Sequence, residues 1–215
     1  KIMELSLEYK NKVAATMLEQ RQNFGGTDKA FATTMGINQA VFNRIKKGER
    51  EKLLTDARWM MIGRQFGVTL HRETMKMVAT DVFEIIKEEV IFCKEYSKSR
   101  MFNDNAGIGK TVAAKYLAKS EKNVFYIDGT QCKKKNAFIK ALARVVGVEV
   151  KGRYDEIKDT TKYFLQIREK PIVIIDEWGA LDKEALGLIQ EYWNATEGLC
   201  GWYLIGGNAA RNRMD

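Results

Sequence analysis

A seven-residue stretch combines the residue types that bind phosphate at a strand-to-helix turn. It runs from Asn105 to Thr111, Asn-Ala-Gly-Ile-Gly-Lys-Thr, between a predicted strand (100–103) and a predicted helix (112–119). Two glycines let the backbone N–H groups converge on an anion, and the helix N-terminus adds positive potential. In such a loop, Lys110 reaches the β- and γ-phosphates of a nucleotide, and the Thr111 hydroxyl ligates Mg²⁺. The alternative is an ordinary glycine-bearing turn with an incidental lysine.

One position departs from the phosphate-loop pattern G-x-x-x-x-G-K-[ST], because Asp104 occupies the place of the first glycine. Aspartate tolerates left-handed backbone better than most residues. Its carboxylate is unfavourable beside phosphates, so we expect it to point away from the ligand or to weaken binding. The predicted nucleotide-binding residues are Asn105, Ala106, Gly107, Ile108, Gly109, Lys110, Thr111 and Val112.

A later apolar run predicts the other half of the site. Residues 172–177 read Ile-Val-Ile-Ile-Asp-Glu, which is typical of a buried strand that ends in two carboxylates. Such a strand delivers its last side chains to the sheet edge where ligands of open α/β sheets bind. We expect Asp176 to hold Mg²⁺ together with Thr111, and Glu177 to orient and polarise the attacking water. Taken alone, the run is also compatible with a core strand that ends in a solvated acidic turn.

Composition narrows the function classes. A net charge of +8 and a pI near 9.3 favour a polyanionic partner. The single histidine, His71, leaves little room for histidine triads or His-rich metal sites, and three dispersed cysteines indicate a reducing cytosol. No apolar run has membrane-spanning length and no signal peptide is present, so we expect a cytoplasmic location without membrane contact. Because the chain begins with Lys1, we expect it to be part of a longer protein.

The elements that must position these residues alternate between strands and helices in the second half of the chain. Continuous apolar strands of this kind are typical of a parallel sheet, and the alternation predicts βαβ units with helices on both faces. A further helix, with a stripe of Val82, Ile85, Ile86, Glu89 and Phe92, precedes them. The predicted strands are 100–103, 123–128, 172–177 and 202–206, and the predicted helices are 81–96, 112–119, 136–146, 160–168 and 183–194.

The first part of the chain predicts only helices, at 5–21, 28–35, 39–47 and 54–66. The segment 27–68, with its turn at Gly36-Ile37, resembles the repressor-type helix-turn-helix. The resemblance implies that the second helix of the pair presents base- and phosphate-binding side chains to DNA. Those predicted DNA-binding residues are Gln39, Asn43, Arg44 and Lys47. Such modules also serve as protein docking surfaces, and that alternative stays open.

The ordered set of phosphate loop, Asp-Glu strand and a later strand ending before Asn208 is similar to the AAA+ ATPases. The resemblance implies an α/β P-loop core with a helix-covered parallel sheet (99–215), preceded by a small all-α helix-turn-helix domain (1–70) and a connector with a packing helix (71–98). It implies ATP and Mg²⁺ as cofactors. It also implies catalytic roles for Glu177, Asp176, Lys110 and Asn208, the last at the sensor 1 position. Arg211 and Arg213 are candidates for the cation that phosphoryl transfer requires from a neighbouring subunit.

More narrowly, the domain order resembles the phage Mu B type of transposition ATPase. That resemblance implies a homo-oligomer, as a helical filament or ring, that assembles on duplex DNA and recruits a transposase. In such an assembly the run Lys133, Lys134 and Lys135 would track DNA phosphates, although a solvated charge run is the alternative. A helicase loader, or a nucleotide-sensing helix-turn-helix transcription regulator, would use the same modules.

Overall fold

The computed structural model describes residues 5–68, 79–207 and Ala210. It divides the chain into two compact units, Lys1–Val78 and Ala79–Asp215. Four residues singled out from the sequence, His71, Asn208, Arg211 and Arg213, lie outside the described residues. Among the helices of the described part, none has the length and apolar character that crossing a membrane requires.

The first unit is helical over its described residues. Each helix begins after a side chain that accepts a hydrogen bond from the first turn, which satisfies a backbone N–H that would otherwise lack a partner. These N-caps are Ser6, Thr27, Asn38 and Thr55. The helices are α1 (Leu7–Asn23), α2 (Asp28–Thr34), α3 (Gln39–Lys46) and α4 (Asp56–Gln65). Their shared core includes Met17, Phe31, Phe42, Ile45 and Trp59.

Polar contacts fix the angle between the short helices α2 and α3. The Asp28 carboxylate, in the first turn of α2, pairs with Arg21 of α1 and Lys46 of α3, each at 2.7 Å. In the turn between the two short helices, Gly36 adopts a positive φ of 61°, and its carbonyl accepts a hydrogen bond from Arg58 of α4 at 2.6 Å. These contacts hold α3 with one side on the core and the other exposed.

The second unit is an α/β layer structure, as the sequence predicted. The described strands form one parallel sheet in the order β1-β4-β3-β2. The strands are β1 (Ser99–Asn103), β2 (Val124–Asp128), β3 (Ile172–Asp176) and β4 (Gly201–Gly206). The helices are α5 (Asp81–Tyr96), α6 (Lys110–Ser120), α7 (Lys135–Val146), α8 (Tyr154–Gln166) and α9 (Lys183–Ala195).

Helices cover both faces of this sheet, which explains why the inner strand β3 has no polar position before its end. Successive side chains of β3 point to opposite faces. Ile172 and Ile174 belong to the core shared with α5 and α6, whereas the alternate residues Val173 and Ile175 are fully buried on the other face. On that second face α7 packs against β2, and α8 and α9 pack against α7.

Two sequence expectations about these helices were wrong in detail. Helix α8 begins at Tyr154 rather than at Thr160, because the Arg153 N–H donates to the Glu156 carboxylate (3.1 Å), which satisfies a backbone donor at that point.

The buried stripe of α5 differs from the predicted one. It consists of Ile86, Val90 and Cys93. Ile85 and Phe92, which the predicted stripe included, remain 44% and 37% exposed. Apolar residues stand next to one another along this helix, at 82–83, 85–86 and 90–93, so periodicity alone does not select its inner face.

Candidate nucleotide-binding site

The carboxyl ends of all described strands meet at one edge of the sheet. The register pairs Asp128 of β2 with Asp176 of β3, and Asn103 of β1 with Gly206 of β4. The turn after β1 therefore lies at the same edge as the acidic turn after β3. This edge is the position at which open parallel sheets bind their ligands.

The loop after β1 is shaped to receive an anion. Gly107 and Gly109 have positive φ angles of 86° and 97°, which favour glycine, and no heavy atom lies within 4 Å of a Cβ built at either position. Helix α6 then begins at Lys110, with Gly109 as its N-cap. Because glycine has no side chain to bond the first N–H groups of the helix, these donors face the open side of the loop and suit a phosphate.

Lys110 carries a buried positive charge at this loop. The residue is only 6% exposed, and its Nζ donates to the carbonyl oxygens of Asp104 (2.8 Å) and Asn105 (2.5 Å). Both acceptors are neutral, so a phosphate in the loop would supply the opposite charge that a buried ammonium group requires. Asp104, the residue that differs from the phosphate-loop pattern, bonds the loop itself: its Oδ1 accepts the Asn105 N–H at 2.7 Å.

Asp176 is the buried carboxylate of the site and is 2% exposed. Its Oδ2 accepts hydrogen bonds from the Thr111 hydroxyl of α6 at 2.7 Å and from the Tyr126 hydroxyl of β2 at 2.8 Å. Its Oδ1 accepts the Glu177 N–H at 3.1 Å. An alcohol oxygen and a carboxylate in direct contact are the hard oxygen donors that Mg²⁺ prefers. The residues predicted to hold Mg²⁺ therefore fit that ion in chemistry and in proximity.

Tyr126 is the residue of this cluster that sequence reasoning missed. Burial, together with the neighbouring Asp176 carboxylate, raises the pKa of its hydroxyl, which keeps the group protonated as a donor. A tyrosine inside an apolar strand is read as core packing. The signal that was available is its place two residues before Asp128, at the end of β2 that adjoins the end of β3.

Glu177 follows β3 in a backbone conformation that is uncommon for a side-chain-bearing residue, with φ of 52°. Neighbouring groups hold this turn on two sides. The indole N–H of Trp178 donates to the Asn103 side chain at 3.1 Å, and a Cβ on Gly129 would come within 2.7 Å of the Glu177 carbonyl. The Glu177 carboxylate oxygens would lie 3.8 and 3.9 Å from a Cβ built on Gly207, directly after β4. Positive φ at a constrained turn is typical of functional sites.

The residues predicted to bind DNA occupy two separate segments. Gln39, Asn43, Arg44 and Lys47 are exposed on or directly after α3, and Arg44 pairs with Glu49 at 2.6 Å. Lys133 and Lys134 are exposed before α7. Lys135 differs from them, because it is partly buried with its Nζ 5.4 Å from the centre of the Tyr154 ring.

A comparison with protein families gives a match to the second half of the chain. A family model described as an AAA domain matches residues 105–214, which is just over half of the 215 residues. The matched range begins in the glycine-bearing loop and includes Lys110, Thr111, Tyr126, Asp176 and Glu177. A comparison with curated proteins finds no significant match.

Proposed function

The chain belongs to the AAA domain family, and from this premise we propose that it is an ATP-dependent DNA-binding ATPase of the phage Mu B transposition type. In this proposal it assembles on duplex DNA and presents target DNA to a transposase. The proposed ATPase activity rests on one observation: Thr111 contacts the buried Asp176, next to the loop that contains Lys110. The DNA part is supported by the exposed side chains of α3 and by the net charge of +8.

In this proposal, different residues bind the phosphates, hold Mg²⁺ and polarise the attacking water. The loop N–H groups and Lys110 bind the β- and γ-phosphates. Thr111 and Asp176 would hold Mg²⁺, whose charge offsets that of the phosphates. Glu177 accepts a hydrogen bond from a water molecule and polarises it for attack on the γ-phosphorus. Asn208, and an arginine from a neighbouring subunit, complete the expected set.

The proposed DNA contacts are of two kinds. Gln39 and Asn43 have the amide groups that pair with adenine edges, and Arg44 and Lys47 suit guanine or phosphate. For Arg44 to do so, it must exchange its ion pair with Glu49 for one with DNA. Lys133 and Lys134 would add contacts to phosphate without reading sequence.

Electron microscopy of the full chain with duplex DNA tests the assembly. We expect filaments or rings on DNA with ATP and bare DNA with ADP. Assemblies that form equally with both nucleotides, or with neither, would contradict the proposal.

Glu177→Gln tests the coupling between hydrolysis and DNA release. The variant keeps the shape of the side chain but loses the charge that polarises water, so we expect it to bind ATP, to hydrolyse it slowly and to stay on DNA longer than the parent. Glu197→Gln, at an exposed position after α9, is the matched control and should behave as the parent. Release of Glu177→Gln from DNA at the parental rate would show that the coupling is wrong.

The partner separates the proposal from its alternatives. Specific capture of a transposase by the ATP-bound chain supports the transposition role, whereas capture of a replicative helicase favours a loader. A sequence-specific footprint without ATP, combined with hydrolysis that DNA does not stimulate, favours a transcription regulator.

A further inference from the structure

The side chain of Asp176 is buried and accepts hydrogen bonds from a small set of donors. A carboxylate removed from water at 2% exposure needs hydrogen bonds to offset its lost hydration. Its donors among the described residues are the hydroxyl groups of Thr111 and Tyr126 and the N–H of Glu177. Two of these three belong to the proposed ATP machinery. Tyr126 has no assigned role in it.

Tyr126 contacts the Asp176 carboxylate from the neighbouring strand, β2. It projects from β2, the neighbour of β3, towards the face that α6 covers. The Nζ of Lys115 in α6 lies 5.4 Å from the centre of the Tyr126 ring. The ring is therefore fixed between β2 and α6, and its hydroxyl donates to the Asp176 oxygen that also accepts from Thr111.

The geometry has a chemical consequence for Thr111. A hydroxyl group has one proton to donate and two lone pairs. When the proton of Thr111 is committed to Asp176, its lone pairs remain free to meet a cation. This arrangement requires that the shared Asp176 oxygen stays in place. The Tyr126 hydroxyl, 2.8 Å away, restricts rotation of the carboxylate away from Thr111.

We propose that Tyr126 is a positioning residue of the Mg²⁺-nucleotide site, which acts by holding the Asp176 carboxylate in contact with Thr111. This inference rests on the proposed ATPase function and adds to it a residue outside both sequence motifs. It predicts that loss of the hydroxyl weakens the response to Mg²⁺ and leaves the loop contacts to phosphate intact.

The test is Tyr126→Phe in the full chain, with a fluorescent N-methylanthraniloyl ATP as the probe. We expect the Mg²⁺ concentration that half-saturates probe binding to rise about tenfold, as for other residues that orient metal-binding groups. Affinity for the probe in EDTA should stay the same. In hydrolysis, the Mg²⁺ concentration for half-maximal rate should rise while kcat at saturating Mg²⁺ changes little.

Tyr203→Phe is the matched control. Tyr203 is a buried tyrosine on β4 of the same sheet, and its hydroxyl also donates to a carboxylate, that of Glu89, at 2.6 Å. The control removes the same atom and the same kind of bond without touching Asp176. We expect it to lower the thermal midpoint of unfolding without altering the Mg²⁺ response. An equal shift in both variants would reduce Tyr126 to general packing and overturn the inference.

Two further outcomes distinguish a failure of this inference from a failure of the proposed function. If Tyr126→Phe keeps the parental Mg²⁺ response, the inference is wrong and the ATPase proposal stands. If the folded parent does not bind the probe with Mg²⁺ at all, the proposed function itself fails. In an Asp176→Asn background, Tyr126→Phe should cause no additional shift, since its effect passes through that carboxylate.

Discussion

At the residue scale, a residue without a side chain allows two turns of the site to approach each other closely. Gly129 follows β2, and a Cβ there would lie 2.7 Å from the Glu177 carbonyl and 3.0 Å from that of Asp176. Both are backbone atoms and cannot rotate away. The close approach of the turns after β2 and β3 therefore requires glycine.

We predict that Gly129→Ala displaces the turn that carries Glu177 and slows ATP hydrolysis about 100-fold, the cost of misplacing a catalytic group by about an ångström. Nucleotide affinity should fall much less, because the phosphate loop follows a different strand. Phosphate release and probe binding, measured in parallel, separate the two effects. Hydrolysis at the parental rate would mean that the turn shifts without consequence for Glu177.

From the sequence we could predict those residues of the candidate site that lie next to one another in the chain. The phosphate loop and the pair Asp176-Glu177 are local patterns, so their types and spacing are enough to find them. Tyr126, Gly129 and the bond between Trp178 and Asn103 depend on which strands are neighbours and in what register. That information is absent from any single stretch of the chain.

At the element scale, helix boundaries depend on caps and side-chain contacts. The predicted starts of α2 and α3, at residues 28 and 39, were correct, because the preceding Thr27 and Asn38 are residue types whose side chains bond the first turn. The start of α8 could not be predicted in the same way. Its N-cap residue is Arg153, whose backbone N–H donates to Glu156, and arginine is not a residue type that marks the start of a helix.

We predict that Asp28→Asn destabilises the first unit by about 0.5–1 kcal/mol at neutral pH, a size limited by the partial exposure of the pairs it loses. Hydrogen bonds from Lys46 and Arg21 lower the pKa of Asp28. The stabilisation is therefore present above the unfolded pKa of about 3.9 and is lost as the pH falls through the lowered folded value. Hydrogen exchange of α2 and α3 amides at several pH values measures this. If the parent and Asp28→Asn still differed in amide protection at acid pH, the ion-pair explanation would be wrong.

Helix α9 offers a prediction of opposite sign. Gly187 lies within this helix, and a Cβ built there meets no heavy atom within 4 Å. We expect Gly187→Ala to stabilise the second unit by about 0.5–1 kcal/mol, because alanine loses less backbone entropy in a helix. Urea unfolding measures the change, and hydrolysis should be unaffected. Destabilisation would mean that this face of α9 is covered in solution.

At the scale of the whole molecule, the proposed DNA contacts of the second unit are cationic, whereas those of the first unit include neutral amides as well as Arg44 and Lys47. The exposed lysines before α7 are charged, and Gln39 and Asn43 of α3 are neutral. A cation that neutralises a phosphate releases counterions, whereas a neutral side chain that bonds a base edge does not. The dependence of affinity on salt therefore distinguishes the two.

We predict that the pair of changes Lys133→Ala and Lys134→Ala reduces the slope of log affinity against log salt by about two units. The pair Gln39→Ala and Asn43→Ala should lower affinity for preferred sequences and leave the slope unchanged. Fluorescence anisotropy with ATP at several salt concentrations measures both. If the slope does not change in the lysine variant, the run is a solvated surface and does not contact phosphate.

The proposed function depends most on binding of ATP at the loop between β1 and α6. Calorimetric titration of the full chain with ATP in the presence of magnesium tests this directly, with Lys110→Ala as the comparison and the thermal midpoint without nucleotide as the check on folding. We predict saturable binding of one ATP per chain by the parent and none by the folded Lys110→Ala variant. Absence of binding by the folded parent, or equal binding by both, would contradict the proposed function.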